Sequence, residues 1–257
     1  MKFQVHYLAA ALAATLASGA VLAESLPSSK ATFTYSDLIA LPASADINNP
    51  ADNSGWATVL KAQIKTANQK DLFINPSLQC GIVTDTTVKS LNGSEDSAEA
   101  RGTIRVRVLI TAPDGTETYA EPNNAGATAD PAELNDDGLV YCDRIQQLKA
   151  KFSGLNCTAA PYDDTDGLVD GAVTCADPEE LQLILKTLNA NSFNFVAADV
   201  VSGVHTIEIQ ARTSANIGVS SANGSLAGAE AFIGAGSATI EEVRMIQGNT
   251  GETLSID

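Results

Sequence analysis

A period of two recurs along this chain, and no other feature restricts its folding as much. In TIRVRVLIT, residues 103–111, Ile104, Val106, Val108 and Ile110 fall on one side and Arg105 and Arg107 on the other. That is the pattern of a strand with one buried side and one side facing water. Six more stretches alternate or run apolar with β-branched residues: Thr32–Ile39, Ala57–Thr66, Leu72–Leu78, Ser192–Ala197, Gly203–Arg212 and Ser237–Ile246. Clusters of Gly, Asn, Asp and Pro separate them, among them NNPADNSG, LNGSEDS and APDG. Short strands punctuated by turn formers predict an all-β fold, a single β-sandwich.

Two stretches carry both periods. In DPEELQLILKTL, Asp177 and Glu180 have capping-box spacing around Pro178, and Leu181, Ile184, Leu185 and Leu188 share a helical face. The same residues alternate, with Leu181, Leu183 and Leu185 opposite Gln182 and Lys186. LVYCDRIQQLKAKF is ambiguous in the same way. Local signals do not decide; because both lie among strand signals, both are assigned as strands.

Residues 1–23 begin MKFQVHYLAAALAATLASG and end in a small-x-small pattern at Val21, Leu22 and Ala23. They read as a secretory signal peptide cleaved before Glu24, followed by an N-terminal arm over residues 24–55 with one strand. The sandwich is expected over residues 56–247 and a polar tail over 248–257. The strand of the arm could complete a neighbouring molecule's sheet, although pairing within its own sandwich is the simpler expectation. The chain is thus expected to be secreted, into a periplasm or beyond the cell, with no membrane-inserted segment. Loss of Lys2 with the leader leaves 14 basic against 31 acidic residues, a net charge of −17. Such a charge repels phosphate backbones, which excludes nucleic acid as a partner.

Cys80, Cys142, Cys157 and Cys175 are even in number in an exported chain, which predicts two disulfides. Three connectivities are possible; the favoured one joins Cys157 to Cys175, which closes a local loop, and leaves Cys80–Cys142. The local loop reads CTAAPYDDTDGLVDGAVTC and holds Asp163, Asp164, Asp166 and Asp170. Aligned on Gly167, it puts Tyr162 and Val173 where an EF-hand needs an acid and a bidentate Glu, so it is no EF-hand. The four aspartates could still form an irregular calcium site, against the plainer reading of a solvated loop rich in turn formers. Calcium is the one cofactor the sequence suggests.

His205 is the single histidine left after export, so a histidine-based triad or a His-rich metal site has almost no material. Its place in GVHTIEIQAR marks it as a structural histidine bonded inside a strand. Trp56 reads as a buried core residue.

SFNFVAADVVSGVHTIEIQAR followed by AFIGAGSATIEEVRMI resembles the last strands of secreted microbial jelly-roll proteins of the tumour-necrosis-factor/C1q-like shape. IKTANQKDLFINPSLQCGIVTDT resembles an upstream stretch of the same uncharacterised proteins. The likeness runs from about Trp56 to Ile246 and implies jelly-roll topology and a non-catalytic surface module. The expectation is therefore a structural or interaction protein of the cell exterior, a self-associating subunit, and not an enzyme. The alternatives are a calcium-assisted module binding surface glycans and, behind it, a hydrolase using two carboxylates.

Overall fold

The structure is a computed structural model that describes residues 30–37, 41–46, 48, 51–53, 55–67, 70–91, 94–123, 138–152, 157–158, 174–175 and 179–244. These residues form strands and turns. The strands are β1 (Ala31–Ser36), β2 (Ala43–Asp46), β3 (Ala51–Asn53), β4 (Ala57–Thr66), β5 (Lys70–Ser90), β6 (Glu95–Thr111) and β7 (Glu117–Tyr119). They continue with β8 (Leu139–Lys151), β9 (Cys157–Thr158), β10 (Thr174–Cys175), β11 (Glu179–Ser192), β12 (Phe195–Val200), β13 (Gly203–Ser220) and β14 (Leu226–Val243). Both ambiguous stretches are strands, β8 and β11.

Eight strands carry the architecture. One sheet runs β1-β14-β5-β11 and the other has β13 between β4 and β6, with β8 beyond β6; every pairing is antiparallel. Counted in chain order, the first sheet holds the first, eighth, third and sixth of these strands, and the second holds the second, seventh, fourth and fifth. That is the double Greek key of a jelly roll. The short strands extend the sheets: β2 lies on β14, β12 on β5, β3 on β13 and β7 on β6. The stretch expected to carry one strand thus holds three, and β1 pairs within its own sandwich, from Ala31↔Glu241 to Ser36↔Gly236.

The core lies between the sheets. Leu72, Ile74 and Ile240 from one sheet meet Ile104, Val106, Val108, Ile207 and Ile209 from the other, all fully buried. Each such side chain contributes roughly 1.5–3 kcal/mol of transfer free energy. The alternation read in TIRVRVLIT is real, but its outer side is not open to water. Arg105 is only 9% exposed, and the Arg107 guanidinium sits between the rings of Trp56 and Tyr119, 4.3 and 4.7 Å from their centroids. Trp56 is accordingly half-buried on the outside of the sandwich and not a core residue, because two arginines offer its ring a better contact there than the packed interior does. Gly138 makes room for it: at φ +89° a Cβ would stand 2.5 Å from the indole.

One end of the sandwich is fastened by Asp96. Its carboxylate accepts bonds from Ser221 Oγ (2.6 Å), Ser225 Oγ (3.0 Å), the Ala222 N–H (3.2 Å) and the Asn223 N–H (3.3 Å). The turn joining β13 to β14 is tied to β6 in this way.

Candidate functional site

β11 is the strand whose surroundings match its sequence least well. It pairs with β5 over its whole length, from Glu179↔Ser90 to Ser192↔Ser77, and among the described residues no strand pairs with its other edge. Apolar residues of both parities normally belong to a strand covered on both faces. Here Leu181 is 44% exposed, Leu183 39%, Ile184 49%, Leu185 40% and Leu188 61%. Together these side chains present on the order of 400 Å² of apolar surface, the size at which a patch on a soluble protein serves a purpose.

Strand β8 of the opposite sheet reaches under this edge. The Tyr141 hydroxyl donates to the Asn191 carbonyl and accepts the buried Leu78 N–H at 3.0 Å. Gln146 Nε2 donates to the Leu183 carbonyl and to Thr86 Oγ1, both at 2.7 Å, and Gln146 Oε1 accepts from Thr84 Oγ1 at 2.7 Å. Asn191 Nδ2 donates to the Tyr141 carbonyl at 3.2 Å and rests 2.9 Å from Cys142 Sγ. Burial pushes the Tyr141 phenol up from its usual pKa, against the Leu78 N–H bond. The Cys80–Cys142 disulfide closes this knot by joining β5 to β8 across the sheets. A cavity of about 290 Å³ opens beside it, lined by Tyr141, Arg144, Thr187, Asn189 and Asn191, and Arg144 Nη1 is buried there with no hydrogen-bond partner.

The ladder with β5 orients the edge. The Phe193 N–H donates to the Pro76 carbonyl of β5 at 3.3 Å in continuation of the β11 register, so the odd-numbered residues of β11 turn their backbone groups toward β5 and the even-numbered ones toward the open edge. Thr187, Asn189 and Asn191 share the inner side with Cys80 and Ile82, while Ile184 and Lys186 line an outer trough of about 430 Å³ with Asp46, Asp85 and Glu230.

Other expected sites are placed as follows. His205 is 1% exposed, and its Nε2 lies 2.8 Å from the Val201 carbonyl, an acceptor, so Nε2 carries the proton. It is the bonded histidine the sequence predicts, and it lines a cavity of about 350 Å³ with Asp114, Glu121 and Asp199. The Arg212 guanidinium near Trp56 has its pKa lowered by burial and then by Arg105 and Arg107. Cys80–Cys142 is formed as predicted. The backbone ladder of β9 and β10 sets Cys157 opposite Cys175, but their side chains lie outside the described residues. So do Asp163, Asp164, Asp166 and Asp170, together with the leader expected over residues 1–23 and the tail expected from residue 248. Among the described residues no cluster of three or more His, Cys, Asp or Glu could hold a metal.

Sequence reasoning missed the exposed edge. Its signal is present in LQLILKTL, where apolar residues of both parities leave a strand no side for water.

No family model matches the chain, and no curated protein matches it. Among solved structures it is similar to the infectious bursal disease virus Gx strain structure, at 11% identity and a TM-score of 0.19, over 86% of this chain and 46% of that one. The chain spans less than half of that protein's length, and a likeness at that score carries no argument.

Proposed function

We propose that the chain is a secreted, non-catalytic structural subunit that associates with copies of itself through the β11 side of the sandwich. One observation carries the reading: a 14-residue edge strand with five half-exposed leucine and isoleucine side chains. An edge of that length and composition is ordinarily covered, charged or paired. Lys186 is the one charge between Leu181 and Leu188. Export, which residues 1–23 lead us to expect, and the interlayer disulfide both suit a protein working outside the cytoplasm. Stacking of a sugar on Trp56 is disfavoured, because guanidinium groups already lie against that ring.

The test is light scattering of the processed protein over a concentration series, with and without calcium. The mass should rise with concentration, and Leu185→Glu should return it to that of a monomer with an unchanged strand spectrum. A mass fixed at one chain throughout overturns the reading. Calcium dependence would bring the Asp163–Asp170 loop into the assembly.

A further inference from the structure

We propose that two copies join by antiparallel pairing of β11 with β11 about a two-fold axis through Leu183, which sets Lys186 of each copy opposite Glu180 of the other. The inference rests on the self-association reading above and names its geometry.

A symmetric contact between identical edge strands is isologous. For antiparallel strands its axis stands normal to the sheet, and the sheet's two faces are preserved across it. Opposed residues must then share parity, so each register is defined by the residue on the axis. With Lys186 on the axis the two ammonium groups would meet, a like-charge pair directly opposite, which is destabilising. With Leu183 there, Leu181 faces Leu185 of the second copy, Leu183 faces its own image and Gln182 faces Ile184. Three leucine contacts then form on the inner side, where these residues are 39–44% exposed. On the outer side Lys186 meets Glu180 twice, once on each side of the axis. No other axis residue opposes the strand's lysine directly to Glu180.

The partners are ready for this. Lys186 makes no ion pair among the described residues. Glu180 is half exposed and uses Oε2 for Lys89 at 3.2 Å. The outward backbone groups belong to even residues, which makes the two Gln182–Ile184 pairs and the two Glu180–Lys186 pairs the hydrogen-bonded ones, while Leu183 meets its image in a non-hydrogen-bonded pair, where side chains approach more closely. The joined sheet then runs β1-β14-β5-β11 into β11-β5-β14-β1.

Two experiments test the register. Leu183→Cys, whose Cα atoms would stand about 4.5 Å apart across the axis, should give a covalent dimer on mild oxidation or with a short bis-maleimide, and Leu188→Cys should not. In sedimentation, Lys186→Glu and Glu180→Lys should each weaken association about tenfold, and the double exchange should restore it. If the wild-type chain associates while the double exchange fails to restore it, or while Leu188→Cys links and Leu183→Cys does not, the register is overturned and self-association stands. A wild-type chain that stays monomeric to about 1 mM removes both.

Discussion

The Tyr141 hydroxyl donates to the Asn191 carbonyl across the gap between the two sheets, and this bond holds the exposed strand β11 to β8. The same hydroxyl accepts the Leu78 N–H beside the bulge in β14 between Ile233 and Gly236, where the neighbouring ladder is irregular. Leu78 and Asn191 stand opposite each other in the ladder, so one phenol ties a central strand to an edge strand.

Tyr141→Phe should therefore cost more than a surface change. It leaves the buried Leu78 N–H without an acceptor, a loss of roughly 1–3 kcal/mol. Chemical denaturation measures the loss, and hydrogen exchange should quicken at Asn189–Ser192 before it does elsewhere. Because burial raises the phenol's pKa above 10.0, its contribution is complete below pH 10.0 and is lost as pH rises through the higher folded value. Stability of the wild type should fall more steeply in that alkaline range than that of Tyr141→Phe.

Reduction of Cys80–Cys142 opens a loop with a sequence separation of 62. The chain-entropy argument gives about 4 kcal/mol for a loop of that size. Denaturation of Cys80→Ala/Cys142→Ala, compared with the oxidised wild type, reads this difference. A loss below about 1 kcal/mol would mean that Asn191, Tyr141 and Gln146 hold β8 without the covalent link.

Asp96 predicts the acid behaviour. Burial raises the pKa of its carboxyl, but the bonds from Ser221, Ala222, Ser225 and Asn223 outweigh burial and hold it below its ordinary value of 3.8. A depressed folded pKa contributes stability that is present above pH 3.8 and is lost as pH falls through the lower folded value. Asp96→Asn should lose roughly 1–3 kcal/mol at neutral pH and show a flatter acid limb. Thermal melts between neutral pH and pH 2 provide the measurement, and parallel curves for the two proteins would rule the assignment out.

Gly81 and Phe232 are opposed across β5 and β14, and a Cβ on Gly81 would stand 2.0 Å from Phe232 Cζ. The ring covers a strand glycine that has no side chain of its own. Gly81→Ala should destabilise the wild type by about 1 kcal/mol, because it pushes the ring into solvent. In a Phe232→Ala background the same change should be neutral or stabilising, since glycine is costly within a strand. A double-mutant cycle by urea denaturation reports the change of sign.

Much of the fold was legible because a strand's contacts with the layer behind it leave a period of two. TIRVRVLIT and GVHTIEIQAR show it, and both became central strands, β6 and β13. The cover on the outer side of β6 was not legible, since Trp56 and Tyr119 come to Arg107 from distant points in sequence. LQLILKTL was ambiguous for a related reason: with apolar residues of both parities, its local pattern fits a helix or a strand equally.

The sequence by itself determined that the chain is built of strands and where its turns fall, and it favoured, among three connectivities, the pairing of Cys80 with Cys142 that the structure holds. Only the tertiary structure decided that β11 stands at an edge and that Leu181, Leu183, Ile184, Leu185 and Leu188 meet water. The physical reason is that side-chain periodicity records what lies above and below a strand. Whether its backbone has a neighbour on each side depends on the order of strands in the sheet, which is set by contacts between residues far apart in the chain.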